Sequence, residues 1–501
     1  MILILLMFSA SSIQSQNVGI GTNNPDGSSI LEISSSNKGL LIPRLSFTER
    51  NNISNPAPGL MIINSETGCL EIYNGSMWME NCGSVSIQAS TNAVYVDINT
   101  GLDSPVNGSF NNPVQTINFA ITQATALGLD TIIVAQGTYD ETISMESNHV
   151  LLGSYNPQTW RPGNNRTKII NSFASTAINS TLTIINKTGV TIKDVDIIAA
   201  NGTSSFINSY GAFIQNSMNI VFENVIIESG NGAAGQRGSN GLSGPNGSAG
   251  SNATMNSAGS GGSPGGGNGS NNSMGSNGSP GPLGGVGGSP GFNSNNAFNG
   301  GNGLTGISGN DGNGGLNIGF LSATGVYLPA DGSPGTTGTN GGGGGGGGGY
   351  DGLLNSSPGG GGGGGGVQGA QGSGGTGGGI STGVVLLNAQ LTVINCSIIT
   401  GNGGNGGIGG IGGTGGIGGV GGVGWTAASS SGNGGNGGNG ASGGRGGHGG
   451  GGGGGPVIGV WVEGSSTYNE INTNYILGVP GAGGTSLGNS GEMGMSINIK
   501  N

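Results

Sequence analysis

Apolar and polar positions alternate in short runs, and the runs repeat. Val190-Thr-Ile-Lys-Asp-Val-Asp-Ile-Ile-Ala-Ala-Asn-Gly202 lies over Ile220-Val-Phe-Glu-Asn-Val-Ile-Ile-Glu-Ser-Gly-Asn-Gly232 and over Leu391-Thr-Val-Ile-Asn-Cys-Ser-Ile-Ile-Thr-Gly-Asn-Gly403 without a gap. A weaker copy runs from Gly459 through Asn472 to Gly478. Alternation at period two predicts strands, and self-similar copies predict coils of a solenoid stacked ~4.8 Å apart. Val195, Val225 and Cys396 then share one inward column, and Ile197, Ile227 and Ile398 the next. Cys396 is expected to fill core as a small hydrophobe. Asp194, Asn224 and Asn395 fall at one corner, where amides can bond up and down the stack. Asn186, Asn216 and Asn388 occupy a second shared position.

The pattern changes over 93–162. Ala93-Val-Tyr-Val96 reads as a strand, and Asn112-Pro113 as an N-cap with proline at the first helical position. Ile117, Ala120, Ile121, Ala124 and Leu127 fall at helical spacing, and Gly128 can end the helix. Thr131-Ile-Ile-Val-Ala135 and Gly137-Thr-Tyr139 return to strand. The runs 112–121 and 130–139 resemble the unit that caps right-handed parallel β-helices of the pectin-lyase-like superfamily. That resemblance implies an all-β, right-handed parallel β-helix whose first coil is covered by a small N-terminal helix.

Two tracts, 232–379 and 403–456, leave the coils just after the same Asn-Gly corner, so they should emerge side by side. Inside them glycine recurs every third residue, from Gly232 to Gly250 and again through 275–287, 300–315, 332–349 and 363–378. The cleanest block, 403–424, is a GGX repeat with Asn405, Ile408, Ile411, Thr414, Ile417, Val420 and Val423 at X. Three residues per turn is polyproline-II geometry, and the near absence of proline from the blocks argues against collagen. The expectation is a bundle of polyglycine-II helices, with the Ile/Val edge buried against a neighbour; a flexible linker is the alternative. The repeat type resembles polyglycine-II bundles of certain phage adhesin tips and glycine-rich antifreeze proteins. Runs such as 341–349 carry no readable phase. Phe292, Phe298, Phe320, Tyr327, Tyr350 and Trp425 fall in the breaks between blocks. Displayed at turns they would suit carbohydrate or protein recognition, or a tight bundle has no room for them elsewhere.

Ahead of the solenoid, 17–83 contains VGIGT, KGLLIPR and PGL in that order, then Cys69 and Cys82 flanking two short strands about Asn74-Gly75. The string resembles the tail-fibre-like module at the mature N-terminus of many exported Gram-negative bacterial proteins. It implies a β-rich stalk or attachment segment that often trimerises, and no activity. The hairpin could bring the two sulfurs together as a disulfide, which export would permit; metal ligation is the alternative. Residues 1–16 read as a secretory signal or as a buried strand, and 84–92 as a linker.

Of 501 residues, 121 are glycine and 7% are charged, with a net charge of −11. So few scattered cations give nucleic acid no basic patch. Catalysis finds little support. Asp194 and Asp196 sit two apart on one strand, but Asn224, Asn395, Ile226 and Ser397 occupy their columns, so no carboxylate cluster builds. Asp140, Glu141 and Glu146 read as solvated surface, and His149 and His448 lack a nucleophile partner.

The reading is therefore a non-enzymatic secreted or cell-surface structural or adhesin-like protein without cofactor, metal or membrane span. Its segments are 93–231 (cap and first coils), the insertion 232–379, a coil at 380–402, the insertion 403–456, and final coils at 457–501. The expected partners are a glycan or surface protein and further copies of the chain. A polysaccharide lyase or hydrolase and an ice-binding protein are the alternatives.

Overall fold

The computed structural model describes residues 17–66, 68–81, 92–174, 176, 178–279, 283–292, 295–352, 356–428 and 432–501. The proposed signal at 1–16, Cys82 and nearly all of the 84–92 linker lie outside them. The chain divides into two units, 1–88 and 89–501.

The second unit is a parallel β-helix built from three long sheets. The first stacks Ala93–Val96, Thr131–Ala135, Val150–Tyr155, Thr191–Lys193, Ile220–Glu223, Gln390–Ile394 and Thr467–Ile471. The second stacks Gly137–Asp140, Thr167–Ile170, Val195–Ile198, Ile226–Glu228, Ser397–Ile399 and Asn474–Ile476. Ile143–Ser144, Ser180–Ile185, Ser209–Gln215, Ser381–Leu387, Val457–Glu463 and Ser496–Lys500 make the third. Registers follow the repeat residue for residue: Thr191 pairs with Val221, Val221 with Thr392, and Ile197 with Ile227 and then Ile398. Both inward columns are sealed, Cys396 included, and burial pushes its thiol pKa up.

The corners explain the asparagines. Asp194, Asn224, Asn395 and Asn472 take positive φ between 53° and 58°, as do Asn186, Asn216 and Asn388 at 57°, 48° and 52°. A short polar side chain tolerates this left-handed turn better than any other non-glycine residue. It also bonds to the coil below: the Asn472 amide donates to Asn395 Oδ1 at 3.0 Å, and Asn216 to Asn186 Oδ1 at 3.2 Å.

Helix Ile117–Leu127 covers the first coil and buries Ile117, Ala120, Ile121 and Ala124, ending at Gly128 with φ 67°. Its N-cap is Thr116, whose Oγ1 accepts from Phe119 N–H, so the Asn112-Pro113 start must be corrected. Residues 112–114 stay extended because Val114 exchanges backbone bonds with Tyr95 and Asp97, covering the edge of the first sheet. Leu127 stays exposed. Glu141 is not free surface: its carboxylate accepts from Ile117 and Asn118 N–H, placing negative charge at the helix N-terminus.

The first unit pairs Val18–Ile20 with Leu31–Ile33, and joins Arg44–Leu45, Met61–Asn64, Leu70–Tyr73 and Trp78–Asn81 in a second sheet. A short helix, Phe47–Asn51, opens on a Ser46/Glu49 capping box. Among the described residues of this unit Ile62 and Cys69 are the buried apolar side chains, whereas Ile30, Leu40 and Leu41 are 85%, 64% and 80% exposed. Cys69 is disulfide-bonded, and its expected partner Cys82 is beyond the described residues.

Candidate recognition surface of the glycine-rich region

Every glycine-rich excursion leaves between the second and third sheets. Sequence reading found two; a third, 478–495, leaves the last coil at the same corner and was missed because it is short. The segments run out from the β-helix and back, bonded to one another through backbone alone. From Gly232 to Gly250, each third N–H donates to a carbonyl between Asn402 and Val420. The same 403–423 stretch donates every third N–H, from Gly404 to Gly422, to 379–361 running the other way. Residues 361–379 in turn donate back to 233–251, again at every third position.

The glycine content of each segment follows its surroundings. Residues 358–379 exchange backbone bonds with 232–253, 329–349, 403–425, 433–455 and the short returns at 259–263 and 266–271. Where such enclosure is complete, at 341–349, 359–366 and 449–455, every residue is a buried glycine. A Cβ on Gly363 would come within 1.9 Å of Gly419 O, so no side chain fits. The GGX stretch has one free edge, and the 232–250 stretch, with one glycine in three, has two. Runs without readable phase are the enclosed ones.

The free edge of the GGX block corrects one expectation. Ile408, Ile411, Ile417, Val420 and Val423 are 45%, 40%, 66%, 62% and 54% exposed, not buried against a neighbour. Several edge N–H groups that lack a backbone acceptor are met by side chains from the adjoining segment. Asn240, Asn246 and Asn252 accept from Ile411, Ile417 and Val423 N–H at 2.8–3.0 Å. Asn296, Asn299 and Asn302 do the same for Asn433, Asn436 and Asn439, each at 2.8 Å. These six asparagines are thus occupied in closing the lattice.

The aromatics divide between the two ends. Phe292, Phe298, Tyr350 and Trp425 gather where the long segments turn back, far from the β-helix. Phe292 and Phe298 are 54% and 67% exposed, and Trp425 is half-buried. Tyr350 is buried, in a small hairpin pairing Tyr350–Asp351 with Ser356–Ser357. Phe320 and Tyr327 instead lie at the base, in the hairpin pairing Phe320–Leu321 with Tyr327–Leu328. Phe320 is exposed, but Tyr327 packs among Tyr210, Phe213, Ile380, Val385, Ile458 and Trp461 on the outer face of the third sheet. Its N–H donates to Tyr210 Oη at 2.8 Å, and burial pushes its phenol up to about 12. Tyr327 and Tyr350 are therefore packing residues and are removed from the displayed set. The base anchor was legible in principle: strands Ser209–Gln215, Ser381–Leu387 and Val457–Glu463 are apolar on both faces, which requires a cover on each.

The former carboxylate candidates are structural. Arg166 pairs with Asp196 and donates to Val195 O and Asn224 O, each at 2.8 Å; Asp194 accepts from the Asn224 amide. Lys193 pairs with Glu223 across neighbouring coils. His448 Nδ1 accepts from Gly412 N–H, and the His448 backbone N–H donates to Asp311, which Arg445 also contacts. Among the described residues, no group of three or more His, Cys, Asp or Glu could hold a metal ion, and no helix is long and apolar enough to cross a membrane.

Residues 19–94 match the family model of the phage tail-like trimerisation region. No curated protein and no solved structure matches the chain. The match supports a structural, tail-fibre-like N-terminal segment that brings copies of the chain together.

Proposed function

We propose that the chain is a secreted or cell-surface structural protein of adhesin type. It assembles as a trimer through residues 19–94 and holds a polyglycine-II bundle out from a β-helix. The observation that carries the reading is the period-three backbone ladder joining 232–253, 358–379 and 403–423. A lattice of this kind needs no side-chain core and stays rigid over a length of about 65 Å for a 21-residue segment. Rigidity at that reach, with Phe292, Phe298 and Trp425 at its far end, suits presentation of an aromatic contact surface to a glycan or a surface protein. No enzymatic activity is part of the reading.

A glycan array probed with the full-length protein, alongside Phe292→Ala/Phe298→Ala/Trp425→Ala, tests recognition. Binding by the parent that drops at least tenfold in the variant is expected. Binding that survives the triple substitution overturns the tip as recognition site. Hydrogen exchange tests the bundle itself: fast exchange throughout 232–253, 358–379 and 403–423 would reduce it to a spacer.

A further inference from the structure

Val94 belongs to two structures at once. It ends the stretch that matches the trimerisation region, and it lies in Ala93–Val96, the first strand of the β-helix. The stretch whose match implies association of copies therefore reaches into the first strand at the capped end of the solenoid. That end carries an apolar hollow of about 370 Å³, lined by Ala93, Val94, Val106, Phe110, Leu127 and Leu129 among others. Val106, Phe110 and Leu127 are 89%, 43% and 60% exposed. Large apolar side chains clustered around a concavity mark a surface that another molecule covers. The edge of Ala93–Val96 is already closed by backbone bonds between Tyr95 and Gly108 and between Val114 and Tyr95, so strand addition is not the mode. What remains open there is side-chain surface.

We propose that this hollow is a contact between copies of the chain: Val106, Phe110 and Leu127 of one protomer pack against the corresponding end of the next. On this account self-association involves the β-helix cap as well as the matched stretch. Helix Ile117–Leu127 has two roles on this account, sealing the first coil with one face and meeting a second copy with its C-terminal turn. The inference rests on homo-oligomerisation through 19–94, and its test separates the two.

Full-length protein is diluted through its dissociation range by sedimentation velocity, as parent, as Val106→Asp/Leu127→Asp, and as Phe173→Asp, which alters an 80% exposed residue at another corner. The parent is expected to be trimeric. The double variant should dissociate at a concentration at least tenfold higher, and Phe173→Asp at an unchanged one. Hydrogen exchange on the parent should slow over 102–110 and 123–129 on going from monomer to trimer. A parent that is monomeric at every concentration overturns the oligomer reading itself. A trimeric parent with an unshifted double variant and unchanged exchange at the cap overturns this contact and leaves the oligomer standing. If the double variant does not fold, the parent's exchange decides alone.

Discussion

The β-helix and the glycine-rich region share one corner of one chain and are held together in opposite ways. In the β-helix, side chains stack inward: Val195 on Val225 on Cys396, and Ile197 on Ile227 on Ile398, with backbone bonds running along the stack. In the glycine-rich region side chains are excluded from the interior, and N–H and C=O groups on every enclosed side of a segment find partners in neighbouring segments. The first region tolerates many apolar residues of about the right size. The second tolerates one residue type wherever a segment is enclosed. Burial therefore means different things in the two places: gain of apolar contact in one, and saturation of backbone hydrogen bonds in the other.

Substitutions at four positions probe that contrast, from the largest effect to the smallest. Gly363→Val places a side chain where Gly419 O lies 1.9 Å from an ideal Cβ. It should cost more than about 3 kcal/mol and remove exchange protection from the whole bundle while coils before residue 228 keep theirs. Protection that survives across 358–379 would show that the lattice is not held as described. Ile227→Ala should cost about 2–4 kcal/mol in urea unfolding, a large loss from a single core column. At the corner, Asn224→Ala loses both the left-handed turn and the bond to Asp194, for about 1–2 kcal/mol. Asn224→Gly restores the turn alone, so the difference between the two isolates the backbone share. Ile411→Thr on the free edge should change stability by less than about 0.5 kcal/mol, because the side chain is 40% exposed; a core-sized loss would show that a partner covers it.

Acid supplies a fifth handle on the side-chain region. His149, just before Val150–Tyr155, is buried, with no partner for Nδ1 among the described residues. Burial holds its pKa below the ordinary 6.5; Glu146 and Asp130 oppose that shift, and Lys187 adds to it. The unfolded chain then takes up a proton that the folded chain refuses. Stability should be at full strength above about pH 6.5 and fall as pH drops below it. His149→Gln should flatten that fall without altering stability at pH 8, measured by urea midpoints across the range. An unchanged slope would place the acid sensitivity elsewhere.

Much of this was open to reading in the residues. The coil register followed from aligning 190–202, 220–232 and 391–403, because a parallel stack makes every column a line of identical environments. The period of three in the insertions, and their common point of departure, were legible for the same reason. Less accessible were the start of the capping helix, where Val114 is drawn into the sheet edge, and the fates of Tyr327 and Tyr350. An aromatic in a loop reads the same whether its loop is displayed or folded back onto a sheet. The continuous apolar runs at 210–214, 383–387 and 457–461 held the missing signal.

By itself the sequence determined the register of the coils, the presence of a capping helix and where the two long glycine segments begin, since these rest on local periodicity and on residues with special turn geometry. It also determined how many sides of each glycine segment are covered, once one sees that glycines per triplet count the faces turned to neighbours. Only the tertiary structure decided which segments are neighbours. A GGX strip packs as well against one glycine surface as another, so partner choice depends on where each excursion leaves the coil and how long it runs. The Ile/Val edge is the clearest case. Local pattern marked it as one distinct face, and the arrangement of the other segments left that face in solvent.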